Sequence, residues 1–520
     1  MTRTIRNRWL AGGGSALAAA ALLAVTAAPA QAAPPPRGTT QVSTGLNGAV
    51  PDDQSFGQGV SADGRYALFT SWASNLVPGT TPGSRDAYVR DLRTGRTEQV
   101  NLSDSGERLN GWTEQAAISA NGRYVAFESD ADNAVPGMQV KGRTEVYVRD
   151  LRTGRTELVS GGLTATDTDR FHGSYAPSIS ADGRYVAYVS SRTDLDPTVV
   201  DPGPEPEPGV SLARPYTWKI NVYLTDRRTH TTRLVSHDVQ GRPGELTSFR
   251  PTVSADGRTV GFGSISDLLP PEQTPALAAA AAAAADTELT PGAAEAARRS
   301  VPQSVAKSLP QPLLARPTSA VYYAYDVPSR TLTPVSVGLD GAVGNSSFEA
   351  TISPDGRRAI YTLPEPGGST GGHRYHTVLH VRDLRTGAVT KVSGGLPGTT
   401  STGSSDHGSI TADNRWLYFE SAADNLVAGP QHPGWDVYRQ DLRTGRTERV
   451  ATAPDGSSGN GSSTQPFVSA AGTTVVFDST SGNLVAGTGT PAAEGYQVFA
   501  KPTGFHRGDG DDQGEDGDER

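Results

Sequence analysis

The chain has 520 residues, a formal net charge of −9 and no cysteine. The lack of cysteine excludes disulfides, cysteine-ligated zinc, thiol catalysis and a lipid anchor on cysteine. Residues 508–520 contain seven acidic residues and one arginine, so much of the negative charge lies in this segment. The remainder is mildly acidic with no basic stripe, which argues against nucleic acid as a partner.

The first 32 residues have the pattern of a secretory signal. Arg3, Arg6 and Arg8 precede a short apolar stretch, and Ala30-Gln31-Ala32 matches a small-x-small cleavage site. We therefore expect a signal peptide over residues 1–32 and a linker over 33–38. The protein is then secreted: extracellular, or periplasmic if the source is Gram-negative. No comparable apolar stretch follows, so we expect no membrane insertion.

One short phrase recurs seven times along the rest of the chain. Its copies are SADGRYALF from Ser61, SANGRYVAF from Ser119, SADGRYVAY from Ser180, SADGRTVGF from Ser254, SPDGRRAIY from Ser353, TADNRWLYF from Thr411 and SAAGTTVVF from Ser469. An apolar residue precedes each copy and an alternating apolar run follows it. Asp-Gly between such runs predicts a β-hairpin, because glycine accepts the positive φ of the turn.

A second phrase lies downstream of the first, as in DAYVRDLRTGRTEQV from Asp86 and EVYVRDLRTGRTELV from Glu145. It predicts another hairpin, so one unit has four antiparallel strands, which we call A, B, C and D. Units of this kind bury their faces by stacking around an axis, which is a β-propeller. The spacings between first phrases are 58, 61, 74, 99, 58 and 58 residues, so the third and fourth units carry insertions.

The seventh unit has strands A, B and C but lacks a convincing strand D. The missing strand matches residues 39–45, whose Val-Ser-x-Gly ending also occurs at Val159, Val335 and Val392. We therefore predict an all-β fold: a seven-bladed propeller over residues 39–504 whose last blade is completed by the N-terminal strand. A six-bladed ring with an irregular extra unit is the alternative.

These phrases resemble the repeats of TolB-like propellers, which are related to the WD40-like class. The resemblance covers nearly the whole mature chain and implies the propeller fold. TolB itself has six blades and an additional α/β domain, which this chain lacks, so a role in envelope assembly does not follow. The extension around Asn75, Asn425 and Asn483 resembles an exported bacterial subgroup, and the abundance of Arg, Ala, Gly and Pro resembles actinobacterial proteins.

Length variation is confined to one face of the predicted ring. The A–B and C–D hairpins share one face, and the B–C and D–A connections share the other. The largest insertion, residues 267–317 in blade 4, contains Thr274-Pro275 and Thr290-Pro291, which predict the starts of two short helices. Residues 505–520 are expected to form an acidic disordered tail.

The candidate site residues also fall on the variable face. Four residues before the first phrase, at the channel mouth, stand polar residues that could bind a ligand: Gln115, Arg250, Glu349, His407 and Gln465. Trp112, Trp218 and Trp435 fall in nearby connections, where indole rings could stack on sugars or anchor a peptide. Each of these residues could instead line a solvated channel or pack over its blade.

His373, His376 and His380 have spacings that suggest a metal site. However, His380 replaces the strand C tyrosine of other blades, and the other two are expected in a glycine-rich loop. We therefore expect no metal and no cofactor.

Three functions remain open from sequence. The first is a monomeric, non-enzymatic scaffold that binds an extracellular protein, peptide or cell-wall glycan through the variable face. The second is a lyase or hydrolase in which Arg250, Glu349 and His407 supply acid and base groups. The third is a spacer with no specific ligand.

Overall fold

The computed structural model describes residues 38–504, except 81, 138–142, 162–172, 193, 200–218, 267, 270–319, 340–342, 344–349, 367–374, 430–432 and 487–494. The described chain forms seven four-stranded antiparallel sheets, each containing strands in the order A, B, C, D. This confirms the predicted blade count and excludes the six-bladed alternative.

The strands run in chain order from β1 (Thr40–Gln41), which a short 3-10 turn (Leu46–Gly48) follows. Blade 1 contains β2 (Ser55–Val60), β3 (Tyr66–Ser71), β4 (Asp86–Asp91) and β5 (Arg96–Gln99). Blade 2 contains β6 (Ala116–Ile118), β7 (Tyr124–Ser129), β8 (Glu145–Asp150) and β9 (Arg155–Leu158). Blade 3 contains β10 (Ser174–Ile179), β11 (Tyr185–Ser190), β12 (Asn221–Asp226) and β13 (Thr231–Leu234).

Blade 4 contains β14 (Ser248–Val253), β15 (Thr259–Ser264), β16 (Val321–Asp326) and β17 (Thr331–Pro334). Blade 5 contains β18 (Ala350–Ile352), β19 (Arg358–Pro366), β20 (Tyr375–Asp383) and β21 (Val389–Lys391). Blade 6 contains β22 (Ser405–Ile410), β23 (Trp416–Ser421), β24 (Asp436–Asp441) and β25 (Thr447–Arg449). Blade 7 contains β26 (Ser463–Val468), β27 (Thr474–Ser479) and β28 (Gln497–Pro502), and β1 is its outer strand.

The ring closes through the seventh blade, as the sequence predicts. Strand β1 pairs antiparallel with β28, placing Thr40 opposite Ala500 and Gln41 opposite Phe499. At the centre, each strand A contacts the strand A of the next blade, and β26 contacts β2 in the same way. The seven A strands therefore line the central channel.

The first phrase forms the A–B turn through its own polar side chains. In blade 1, Ser61 Oγ donates to Asp63 Oδ1 at 2.6 Å and accepts the Tyr66 N–H at 2.9 Å. The other Asp63 hydrogen bond comes from the Arg65 N–H at 3.0 Å. Because these contacts are local, the same motif specifies the same turn wherever it recurs.

The arginine of the first phrase joins the A–B turn to the C–D turn of its blade. Arg65 binds Asp91 at 2.7 Å. Matching ion pairs occur in three other blades, namely Arg123–Asp150, Arg184–Asp226 and Arg415–Asp441. These pairs show that both hairpins lie on one side of the ring, which we call the hairpin face. The B–C and D–A connections form the opposite side, the loop face.

An aromatic pair forms a repeated core element in every blade. It joins the fourth residue of strand B to the residue paired with it in strand C, as in Phe69–Tyr88, whose ring centroids are 5.5 Å apart. The others are Phe127–Tyr147, Tyr188–Tyr223, Phe262–Tyr323, Tyr361–His380, Phe419–Tyr438 and Phe477–Phe499. These aromatic side chains are buried, and the surrounding apolar clusters include residues of adjacent blades. Burial of apolar area between blades therefore supplies the main stabilisation of the ring.

Several predicted segments lie outside the described residues: the signal peptide, nearly all of the 267–317 insert with both of its predicted helices, and the tail at 505–520. Among the helices of the described residues, none is long and apolar enough to cross a membrane.

Candidate ligand-binding site on the loop face

Most inner strands contain a β-bulge at the position where the sequence analysis placed the candidate residues. In four blades this residue is not glycine and has a left-handed backbone: Ala176, Arg250, His407 and Gln465 have φ between 48° and 51°. The pairing register of their strands with strand B shifts at the same point. Such a conformation costs about 1–2 kcal/mol per residue outside glycine, so the surroundings must stabilise it.

Buried carboxylates stabilise two of these backbones, at Ala176 and Gln465, and a third carboxylate binds the equivalent residue of blade 1, Gly57. Each is the fifth residue of a strand B and accepts the backbone N–H of the bulge residue in the next blade. The bonds are Glu128 Oε2 to Ala176 at 2.7 Å, Glu420 Oε2 to Gln465 at 2.6 Å, and Asp478 Oδ1 to Gly57 at 2.6 Å. The sequence analysis missed these acids, although an acidic residue in an apolar run such as YVAFES, WLYFES or TVVFDS was a visible signal.

Burial raises the pKa of two of these acids. The pKa of Glu128 is raised to about 8, chiefly by desolvation and in part by nearby Glu114. Desolvation raises the pKa of Asp478 well above its ordinary value, with a further contribution from Glu420. Oδ2 of Asp478 is buried without a hydrogen-bond partner among the described residues. Burial thus disfavours the charged form of both carboxyls, and Glu128 is mostly neutral at pH 7.

His407, predicted as a site residue, meets one of these acids. Its Nδ1 lies 2.9 Å from Glu420 Oε1. Glu420 thus contacts the side chain of His407 in its own blade and accepts the backbone N–H of Gln465 in the next blade. His407 and Glu420 of blade 6 and Asp478 of blade 7 therefore lie close enough for the charges of the first two to affect the pKa of the third.

Four aromatic side chains cluster on the loop face beside blades 7, 1 and 2. Trp72 and Trp112 contact edge to face, with ring centroids 5.5 Å apart at 80°. Phe56 and Tyr496 lie beside each other at 6.3 Å. Trp112 keeps 54% of its surface exposed, although it is a large hydrophobic residue. We call these four residues the aromatic platform.

Arg85 links this platform to polar groups. Its guanidinium carbon lies 5.1 Å from the Phe56 ring centroid and 5.8 Å from that of Trp72. Nη1 is 3.5 Å from Glu114 Oε1, and Nη2 donates to Thr70 Oγ1 at 3.0 Å. Burial lowers the pKa of Arg85, and Glu114 is the largest opposing influence. The platform therefore combines flat apolar rings with an adjacent arginine–carboxylate pair.

The other predicted site residues are distributed around the ring. Gln115 accepts the Glu128 N–H through its backbone carbonyl at 3.2 Å and lies just before β6. Arg250 and His407 occupy equivalent positions in blades 4 and 6, with blade 5 between them. Glu349 and Trp218 lie outside the described residues, so the proposed grouping of Arg250, Glu349 and His407 stays a prediction.

Trp435 occupies in blade 6 the position that Arg85 holds in blade 1. The backbone carbonyl of each accepts an N–H from the next blade: Ser463 N, at the start of β26, to Trp435 O at 2.8 Å, and Thr113 N, just before β6, to Arg85 O at 2.9 Å. Trp435 is half-buried and belongs to the loop face, but it is separate from the Trp72–Trp112 pair.

Asparagine side chains hold the loops around the site. Asn483 Nδ2 donates to Ser458 O at 3.1 Å, and its Oδ1 accepts the Asn460 N–H at 3.0 Å. The same pair of side-chain hydrogen bonds, one donated and one accepted, joins the B–C and D–A connections at Asn75, Asn133 and Asn425. The asparagines singled out in the sequence therefore have a structural role, and sequence analysis missed Asn133.

Two of the three histidines whose spacing suggests a metal site are buried in blade 5. His380 is buried, stacks on Tyr361 at 5.9 Å, and has Nδ1 3.0 Å from Val378 O. The prediction that His376 lies in the loop was wrong, because strand C is longer in blade 5: His376 is buried in β20, where it pairs with Glu365. Burial lowers the pKa of both His376 and His380. His373 lies outside the described residues, and within the described part of the chain no three metal-binding side chains cluster.

Comparisons with known proteins add no function. No family model and no curated protein matches the chain. Among solved structures it is similar to an oligogalacturonate lyase from Vibrio parahaemolyticus at 12% identity and a TM-score of 0.46, covering 89% of this chain and 92% of that one. It is also similar to the β-propeller domain of the Trilobed protease from Pyrococcus furiosus, at 11% identity and a TM-score of 0.44, with 82% and 89% covered.

A TolB from Acinetobacter baumannii is similar at 13% identity and a TM-score of 0.32, with 85% of this chain and 81% of that chain covered. At such identities the likeness concerns the propeller fold alone. The function must therefore be argued from the residues of the loop face.

Proposed function

We propose that this protein is an exported binding module whose aromatic platform holds a cell-wall saccharide. The exposed Trp112 ring, fixed against Trp72, is the observation that carries the proposal. An exposed indole leaves a large apolar surface in water, and stacking on the apolar face of a sugar ring removes that surface from solvent. The platform lies on the loop face, where the chain also varies most in length.

Polar groups beside the platform favour a saccharide over a purely apolar ligand. Arg85 supplies hydrogen-bond donors and Glu114 supplies acceptors, and both are only partly exposed. Sugar hydroxyls use both kinds of group, whereas the sugar ring uses the indole. A peptide or protein partner remains an outcome of the binding experiment below.

Titration with a panel of cell-wall oligosaccharides, followed by calorimetry, tests this proposal. Trp112→Ala should weaken binding at least roughly tenfold, which corresponds to about 1.4 kcal/mol. Trp435→Ala is the matched control, because it removes an indole from another loop-face position, and it should change affinity little. Equal affinity of the Trp112→Ala variant and the unaltered protein, or binding of peptides alone, would overturn the saccharide assignment.

The buried acids of the channel wall support a second candidate, a polysaccharide-cleaving enzyme. Burial raises the pKa of Glu128 to about 8 and also raises that of Asp478, and the His407–Glu420 pair could exchange a proton. Turnover should then disappear in Glu128→Gln, Asp478→Asn or His407→Ala variants. Alanine substitutions at Arg250 and Glu349 extend the test to the sequence-predicted set. Absence of turnover by the unaltered protein on a polysaccharide and lactone panel would remove this candidate.

A further inference from the structure

The C–D turns present exposed arginines on the hairpin face of the ring. Nine of them are exposed, in six of the seven blades: Arg93, Arg96, Arg152, Arg155, Arg228, Arg330, Arg385, Arg443 and Arg446. We call this set the arginine belt. Its members are spread over more than 350 residues of sequence, so no basic stripe is visible before the ring brings them to one face.

The aspartates of the same turns are less exposed than the arginines, because they stabilise the turns. Asp91 Oδ1 accepts the Arg93 N–H at 3.0 Å, and Asp91 also binds Arg65. Desolvation by burial raises the pKa of Asp91. The hydrogen bonds from Arg65 and from the turn backbone together lower it by more, so the net shift is downward. Asp226 and Asp441 have the same kinds of partner. Within the C–D turns the aspartates are thus held close to the backbone, whereas the arginines project into solvent. The A–B turns of the same face expose Asp63 in blade 1 and Asp413 in blade 6.

Some belt arginines also have acidic neighbours. Arg96 lies 2.9 Å from Glu98, Arg155 lies 2.9 Å from Asp104, and Arg446 lies 3.0 Å from Glu448. Their side chains are 75% or 76% exposed. Exposed pairs of this kind contribute about 0–1 kcal/mol each, so a competing carboxylate can exchange into them.

Blade 7 breaks the belt at the point where the chain leaves the ring. Its A–B turn reads SAAGTT, without the aspartate and arginine of the first phrase. Strand β28 is a C strand, so it runs from the loop face to the hairpin face. It is followed by Thr503, whose N–H donates to Thr473 O in that turn at 3.0 Å. The described chain therefore ends, at Gly504, on the hairpin face between the turns of blades 6 and 1.

We propose that the acidic segment 508–520 docks on the arginine belt, over the turns of blades 6 and 1. This segment has seven acidic residues and one arginine, which complements the charge of the belt. The stretch from 505 to 520 reaches roughly 55 Å when extended, at about 3.4 Å per residue, so neighbouring turns are within range. Several weak arginine–carboxylate contacts then act together, and salt screens them.

Fluorescence energy transfer tests the docking directly, because the chain has no cysteine and accepts two introduced ones. One dye is placed through Gly517→Cys and the other through Thr444→Cys, at an exposed position in the blade 6 turn. We expect efficient transfer at low salt and a large loss in 1 M NaCl. The control pair uses Val50→Cys, exposed on the loop face, and should give weak transfer under both conditions.

A neutral segment provides the matched control variant. Replacing the seven acids of 508–520 by Asn or Gln leaves the ring unchanged, and it should lower transfer at low salt to the high-salt value. Inorganic polyphosphate should bind this variant roughly tenfold more tightly than the unaltered chain, because the belt is then uncovered. Unchanged transfer in the neutral variant, or equal polyphosphate affinity of both proteins, would overturn the proposal.

Discussion

The carboxylate of Asp478, in blade 7, accepts a 2.6 Å hydrogen bond from the backbone N–H of Gly57, in blade 1. The two residues are 421 positions apart, yet they meet where the inner strands close the ring. Pairing of β1 with β28 closes the same blade at its outer edge. The junction between the last and first blades is therefore joined at both its inner and outer sides.

Asp478→Asn should be tolerated, because an amide oxygen can still accept the Gly57 N–H and burial raises the pKa of the native carboxyl, which disfavours its charge. Asp478→Ala should lower the free energy of unfolding by about 1–3 kcal/mol, since it leaves a buried N–H without an acceptor. Urea titration of both variants at pH 7 measures the difference. An equal loss of unfolding free energy in both variants would show that the hydrogen bond from the Gly57 N–H does not stabilise the fold.

Glu128 should make the protein less stable as pH rises from about 4.5 to 8. Burial raises its pKa to about 8 in the folded state, from an ordinary value of 4.5, so the folded form binds the proton more tightly. Its stabilisation is complete below pH 4.5 and is lost as pH approaches 8, at up to about 1.4 kcal/mol per pH unit. Unfolding titrations should show a shallower slope for Glu128→Gln, which stays neutral.

Asp436 should also make the protein less stable as pH rises, because desolvation raises its pKa to about 7. The comparison must therefore use the difference between Glu128→Gln and the unaltered protein, and Asp436→Asn gives an independent second curve. A Glu128→Gln curve parallel to the unaltered one across this range would contradict the assignment of Glu128 as a neutral buried acid.

The glycine of the A–B turn has a positive φ, and the neighbouring blade leaves no room for a side chain at its position. A Cβ at Gly183 would lie 2.2 Å from Tyr124 Cδ2 in blade 2. In blade 6 the same turn position is Asn414, with φ 57°, and the neighbouring strand opens with Arg358 instead of an aromatic residue. We expect Gly183→Asn to destabilise by about 2 kcal/mol or more through overpacking.

Asn414→Gly is the matched control for the glycine variant. It should cost about 1 kcal/mol or less, because its left-handed backbone is one that glycine adopts freely. Thermal unfolding of the two variants separates steric crowding from backbone preference. Similar melting temperatures would contradict the role of the Tyr124 contact.

Removal of β1 should weaken the ring at its outer edge. Val42 is fully buried, and Ser43 Oγ donates to Gln497 Oε1 at 2.8 Å and accepts the Val498 N–H at 3.0 Å. A chain starting at residue 45 should lose roughly 2–4 kcal/mol and expose β28 to pairing between molecules. A chain starting at 38 is the control. If β1 does not stabilise the ring, the two chains should give the same light scattering and the same urea unfolding curve.

Much of the fold could be predicted because its signals are local. Ser61 and Asp63 form their turn with each other and with the backbone beside them, so seven copies of the phrase predict seven hairpins. The match of residues 39–45 to other D strands identified the closing strand. His380 was correctly predicted to replace a strand C tyrosine, because the aromatic pair has a fixed place in the repeat.

The interior of the site could not be predicted in the same way. The left-handed backbones of Arg250 and His407 depend on a bulge, and bulge residues meet acceptors contributed by other blades. Glu128 and Asp478 take their protonation from burial at a junction between blades, which no local pattern records. Trp112 was identified because exposed aromatic residues in loops are visible in sequence, but its packing against Trp72 depends on two connections meeting.

The pairing of β1 with β28 also constrains when the molecule can mature. Residues 40–41 leave the ribosome first, but their partner strand is the last of the ring to be synthesised. While the other blades are being synthesised, the nascent polypeptide therefore lacks a finished seventh sheet. Until β28 has been made, β1 has no strand to pair with in its own blade, and the ring cannot close.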